Sequence, residues 1–348
     1  MAMPAATSSF TLFALFFLHV MVKSTVVMSS SSITNVITVA KDGTGDFNTI
    51  KDAVLAAPAN RNNTYYIIIK PGLYEEYVTI PGEKPFLALI GSGADKTIIT
   101  GNRSSRNGYG INASATLAVH GAHFLLQGIT VQNTYGPGTQ AVALFCNADY
   151  AVFYKCTIKG YQDTLFVDKT KQFYRECDIY GTTDFIFGDA TAVFQNCNLF
   201  ARDIGAVFTA HSRDQLNETS GYVIQNCSLK ASPEITANIG ANALAMDAYL
   251  GRPWRDFSTV IVMESFLDAI FNPLGWELMG NSTGENVTYR EYHNRGGGAN
   301  VTGRVNWKGY KVIRHYYEAL KYTPSQFIDG DTWIPQTGVA YDGGLIET

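Results

Sequence analysis

The sequence predicts an all-β protein: a right-handed parallel β-helix, a solenoid with short capping helices at both ends. Three observations predict it. Four of the five cysteines sit in one recurring string at a solenoid-like interval. Two aspartates outside that string repeat with the same interval. The composition is β-rich and poor in charge, with 32 Gly, 20 Tyr and 20 Phe in 348 residues and only 16% charged residues, against roughly 25% in an average soluble domain.

The recurring string is apolar-x-x-Cys-x-(Ile/Leu). It appears as Phe153 to Ile158, Tyr174 to Ile179, Phe194 to Leu199 and Ile224 to Leu229, around Cys156, Cys177, Cys197 and Cys227. Phe124 to Ile129 and Val262 to Leu267 fit it with the cysteine replaced by Gln127 and Ser265, and the successive steps are 29, 21, 20, 30 and 38 residues. A minimal step near 20 with longer insertions marks stacked coils. Cys and Ile/Leu are two apart, so both face one side of a strand. Stacking at about 4.8 Å would turn the cysteines into an interior ladder. Asn196 and Asn226, each just before a cysteine, are expected to stack in the turns.

Free cysteine is among the most buried residue types, so a mostly reduced ladder is the expectation. Disulfides are the alternative, since stacked neighbours lie within bridging range and an oxidising compartment permits them. An odd count leaves at least one thiol over. No C-x-x-C occurs, and no metal or other cofactor is expected.

Solenoid ends need covering. The strand Val36 to Val39 should open the fold, and Phe47 to Ala57 has helical spacing ending at Pro58. Tyr316 to Leu320 and Pro324 to Ile328 read as short helical turns, and the Asn- and Gly-rich stretch from Met279 to Arg304 as a surface loop. No linker divides the chain, so residues 29–348 are expected to form one catalytic domain.

The N-terminus reads as an address. Phe10 to Val22 is a thirteen-residue apolar run, shorter than the ~20 residues of a membrane span. It fits a secretory signal over about residues 1–28. Sequons begin at Asn62, Asn102, Asn112, Asn217, Asn226, Asn281, Asn286 and Asn300. The expectation is a secreted, extracellular glycoprotein, acting as a monomer. A net charge of −4 argues against nucleic-acid partners, which need a basic stripe, and gives no reason for binding anionic membranes.

The chemistry concentrates in two acidic segments, Gly160-Tyr-Gln162-Asp163-Thr-Leu165 and Gly181-Thr-Thr-Asp184-Phe-Ile-Phe-Gly188. Each aspartate lies seven residues after a ladder cysteine, so stacked cysteines imply stacked aspartates. Like charges that close resist joint ionisation, which separates an acid from a nucleophile or base. A turn role at a coil corner is the plainer reading of either aspartate alone. Gln140 lies 22 residues before Gln162, and two neutral amides there suit an oxyanion. Leu250-Gly-Arg252-Pro-Trp254 offers a guanidinium for a carboxylate and an indole for a flat hydrophobic face.

Gly72-Leu-Tyr74-Glu-Glu76, Gln140 to Leu144, Tyr161 to Leu165, Asp184 to Gly188 and Leu250 to Trp254 together resemble the plant pectin methylesterases (pectinesterases), in order and spacing, from about Val36 to the C-terminus. The resemblance implies hydrolysis of galacturonate methyl esters in homogalacturonan, the pectin backbone, at the cell wall. It implies Asp184 as nucleophile, Asp163 as general acid/base, and Gln140 and Gln162 as oxyanion donors. Arg252 would position Asp184. Gln140, Arg252, Trp254 and, less directly, Trp276 would bind substrate.

The resemblance also implies regulation in trans by a small inhibitor protein, since no room for an inhibitor-like pro-region is expected between signal and Val36. His211 stands where the family usually has glutamine; it is expected to be a neutral loop residue near the cleft side, with an effect on substrate fit or pH optimum as the alternative. Nothing resembles Gly-x-Ser-x-Gly. A pectate lyase or polygalacturonase on the same scaffold, or a wall-binding protein without activity, are the other readings. The set Asp163, Asp184 and Arg252 weighs against the last.

Overall fold

The computed structural model describes residues 35–239 and 246–346. The predicted signal segment lies outside them. The chain winds through three parallel sheets of eleven, seven and eight strands, visiting each in turn. One coil shows the plan: Ala151–Tyr154, then Thr157–Lys159, then Leu165–Val167, before Lys171–Arg175 returns beside the first strand. Every registered pair is parallel, and the result is the right-handed β-helix that the repeat predicts.

The repeat strings stack as their pattern requires. Phe153 pairs with Tyr174, Tyr174 with Phe194, Phe194 with Ile224 and Ile224 with Val262. The rings of Phe153, Tyr174 and Phe194 stack face to face with centroids 4.5 and 4.7 Å apart. All five cysteines are free and buried. In the ladder the amide of Cys177 donates to Cys197 Sγ at 3.4 Å, that of Cys197 to Cys227 Sγ at 3.3 Å, and that of Cys227 to Ser265 Oγ at 3.0 Å. Asn226 Nδ2 donates to Asn196 Oδ1 at 3.0 Å, both residues in left-handed backbone.

The register of one coil differs from the expectation. Phe153 pairs with Leu126 and Ile158 with Val131, a step of 27 rather than 29. Ile129, not Gln127, therefore holds the ladder position below Cys156. A slip of two residues keeps every side chain on its face, so alternation alone cannot detect it. The stretch from Met279 to Arg304 also departs from a plain loop. It contains the strand Thr288–Tyr292, paired with Thr259–Met263 and with Tyr310–Val312. Its buried Glu291 accepts from Arg304 Nε at 2.7 Å, an ion pair whose charges disguise an interior strand.

The first strand, Val36–Val39, pairs with Tyr65–Ile69. The helix Ile50–Ala56 covers that end, with the Thr49 hydroxyl accepting from the Asp52 amide at 3.1 Å. Lys84 Nζ donates to the carbonyls of Val54, Leu55 and Ala57 and closes the helix C-terminus. The C-terminal helices Tyr316–Ala319 and Pro324–Phe327 form, and their neighbours Tyr322, Ile328, Trp333 and Ile334 pack on the outer face of the eleven-stranded sheet. Beyond them the tail is held by Gln195, whose Nε2 donates to Asp342 O at 2.8 Å, and by Gln225, whose Nε2 donates to Gly344 O at 2.9 Å.

Candidate active site

The seven-stranded sheet carries the site. Asp163 and Asp184 each precede a short strand, Leu165–Val167 and Ile186–Gly188, by two residues. Leu165 pairs with Ile186, so the two aspartates stand in register on adjacent coils. Their φ angles are +59° and +51°, and Asp visits this left-handed region more readily than most side chains. The same register places Val142 one coil before Asp163 and Val207 one coil after Asp184, both buried. Two carboxyls are thus set into an apolar row, each with 7% of its surface exposed.

That burial governs Asp163. Removal from water, and then the nearby Asp184 carboxylate, push its carboxyl up to about 8, against a smaller opposing pull from Arg252. Asp163 is protonated at neutral pH. Asp184 has a cation of its own: Arg252 Nε donates to Oδ1 at 2.8 Å and Nη2 to Oδ2 at 2.9 Å. This fork fixes the plane of the carboxylate.

Arg252 reaches Asp184 because of what surrounds it. It lies on Tyr249–Pro253, paired with Val207–His211, which in turn pairs with Ile186–Gly188. Its register partner is Ala210, small enough for the guanidinium to pass over. Gly251 beside it must be glycine, since a Cβ there would lie 2.1 Å from Thr209 Oγ1. The third nitrogen, Nη1, donates to Glu277 Oε2 at 3.4 Å. Sequence reasoning missed Glu277; nothing but its place after Trp276 could have marked it.

Gln140 and Gln162 are half-buried at the entries to neighbouring coils. Their backbones are fixed, with Gln140 O accepting from the Ser105 amide at 3.0 Å and Gln162 O from the Ala141 amide at 3.2 Å. Among the described residues neither side-chain amide is tied to a protein partner. Trp254 is half-buried and extends an outer-face aromatic row of Phe145, Phe166 and Phe187, its ring 6.0 Å from that of Phe187.

Two expectations are corrected. Trp276 is not a sugar-facing aromatic. It forms a parallel bridge with Gly251, points into the solenoid, and packs at a tilt with its ring centroid 4.3 Å from that of Tyr289 and none of its surface exposed. The bridge adds its segment to the sheet, and the indole takes an inward position. His211 is not a loop residue either. It is the fully buried last residue of Val207–His211, and its Nδ1 accepts from the Thr259 amide at 3.0 Å. Burial lowers its pKa to about 3, so it stays neutral. Among the described residues no group of three or more His, Cys, Asp or Glu side chains is placed to hold a metal ion.

Comparison with known proteins decides the family: the pectinesterase family model matches residues 36–331. The chain belongs to the pectinesterase family. It is 45% identical over 313 residues to the probable pectinesterase/pectinesterase inhibitor 12 of Arabidopsis thaliana, covering 88% of this chain and 56% of that protein. It is 46% identical over 309 residues to the pectinesterase/pectinesterase inhibitor PPE8B of Prunus persica, covering 87% and 59%. The chain thus spans somewhat more than half the length of these relatives.

Among solved structures it is similar to the pectin methylesterase from carrot, with a TM-score of 0.86 and 40% identity over 91% of this chain and 100% of that one. It is also similar to the pectin methylesterase from Aspergillus niger, with a TM-score of 0.76 and 34% identity over 87% and 96%. In this member of the pectinesterase family the site joins one carboxylate forked by Arg252 to one protonated carboxyl in register with it. Such a pairing is chemically able to offer an attacking oxygen and a proton donor side by side.

Proposed function

We propose that the protein is a carboxylic ester hydrolase that removes methyl groups from the galacturonate esters of pectin. The single observation that carries this reading is the division of labour between in-register aspartates: Arg252 forks onto Asp184 while burial keeps Asp163 protonated. In the proposed reaction an Asp184 oxygen attacks the ester carbonyl carbon. The tetrahedral oxyanion accepts hydrogen bonds from the Gln140 and Gln162 amides. The carbon–methoxy bond breaks, Asp163 gives its proton to the leaving oxygen, and methanol departs. Water then loses a proton to the Asp163 carboxylate and attacks the galacturonyl carbon. Asp184 leaves as a carboxylate, and both groups are restored.

Trp254 is proposed to carry a sugar ring at the cleft edge. The N-terminal apolar run and the sequons support delivery to the extracellular wall. The names of the plant relatives, which pair pectinesterase with inhibitor, support an inhibitor protein acting in trans. The deciding experiment is methanol release from highly methylated pectin by the purified protein. Ultraviolet-absorbing unsaturated product would indicate a lyase instead, and a fast loss of viscosity with new reducing ends a polygalacturonase. Binding with none of these products would leave a wall-binding protein.

A further inference from the structure

A cavity of about 250 Å³, lined by none of the site residues, lies between the N-terminal coils and the C-terminal turns. Its lining includes Asn62, Phe86, His123, Tyr150, Trp333 and Gln336. Three of these form a stack. Phe86 and His123 lie 4.2 Å apart with planes 6° from parallel, and His123 and Tyr150 5.0 Å apart at 24°. Each occupies the same left-handed turn position of successive coils, with φ of +57°, +56° and +59°. Trp333 closes the far end at 5.4 Å from Tyr150.

At the near end the stack stops. Tyr65 pairs with Leu87, so the residue opposite Phe86 on the preceding coil is Thr64. Where the ladder would place a fourth ring there is only a small hydroxyl side chain. Thr64 is also the third residue of the sequon Asn62-Asn63-Thr64, whose Asn62 is exposed and lines the same cavity.

We infer that Asn62 is an N-glycosylation site whose first N-acetylglucosamine seats in this cavity, against the open face of the Phe86–His123–Tyr150 stack. Aromatic faces suit the apolar face of a neutral pyranose. No Lys or Arg lines the cavity, and burial lowers the His123 pKa, so a neutral sugar matches it better than an anionic galacturonate. The modification joins Asn62 Nδ2 to C1 of the sugar. One amide proton is lost, and the C1–oxygen bond to a lipid pyrophosphate donor breaks. The inference rests on the secretory reading of the N-terminus. It distinguishes Asn62 from Asn226, whose Nδ2 is already committed to Asn196 in the asparagine ladder.

The test is glycopeptide mass spectrometry on the full chain secreted from a eukaryotic host, followed by glycan release with a peptide amidase under native conditions. Asn62 should carry glycan and release it at least ten times more slowly than the exposed Asn217 or Asn300. His123→Ala should speed that release while leaving methanol production unchanged. Glycan on Asn217 or Asn300 with bare Asn62 would overturn the inference and leave secretion standing. Release from Asn62 as fast as from the other sites would overturn the seating. No glycan on any sequon would overturn the secretory reading and this inference with it.

Discussion

Arg252 grips both oxygens of Asp184, through Nε at 2.8 Å and Nη2 at 2.9 Å, from two strands away across the small side chain of Ala210. The planar fork holds the carboxylate in one plane, with its charge matched by a group that stays protonated. Arg252→Lys keeps the charge and loses the fork. It should lower kcat by roughly 10–100-fold, the loss of about one charge-assisted hydrogen bond, with little change in KM. Asp184→Asn should abolish methanol release while circular dichroism and pectin binding are retained. Turnover near the parent rate in Asp184→Asn would remove Asp184 from the mechanism.

Asp163 should set an alkaline limb in the activity. Because its carboxyl is pushed up to about 8 by burial and then by Asp184, the free enzyme should lose kcat/KM as pH rises through that value. Asp163→Asn should cost about 10²–10⁴-fold in kcat and erase that limb in what activity remains.

The same shift links to stability. The folded state binds more protons than the unfolded chain between the ordinary carboxylate range and about 8. Stability is therefore highest below that window and falls as pH rises through it. Asp163→Asn removes the penalty. Its melting temperature should exceed the parent's at pH 9 and approach it near pH 4, measured by calorimetry. Equal offsets at both pH values would contradict the raised carboxyl.

The two tryptophans should separate cleanly. Trp254→Ala should raise KM for methylated pectin several-fold and leave the melting temperature nearly unchanged. Trp276→Ala, in the core, should cost about 3–5 kcal/mol of stability. A KM effect from Trp276→Phe without loss of stability would return it to the cleft.

The cysteine ladder predicts chemical silence. All five thiols are free and buried, and burial raises that of Cys146 to about 12. Thiol reagents should label none of them until the protein unfolds, and then all five. Reducing agent should not move the melting temperature.

Much of this was legible because the sheet converts sequence interval into spatial register. Cysteines 21 residues apart stack, and so do Asp163 and Asp184 at the same interval. Alternation fixes which face a residue takes but not which neighbour it meets, so the coil at Leu126 slipped by two. Trp276 misled because the resemblance grouped it with the sugar-binding aromatics, and only the bridge to Gly251 shows that it turns inward. Thr288–Tyr292 was hidden by Arg290 and Glu291, the second paired with Arg304 from a later segment. Glu277 meets Arg252 across 25 residues with no repeat to announce it.

The seven strands under the site are only three or five residues long, whereas the connections that lead into them range from residues 182–185 in one case to residues 102–116 in another. The ladder sets the spacing of Asp163 and Asp184, and the connections carry the variation in length beside them. A lineage can therefore lengthen, shorten or redecorate those connections without retuning the gap between Asp163 and Asp184. Grafted loops at such corners should transfer preference along the polymer while the catalytic constants of the simple ester stay with the strands.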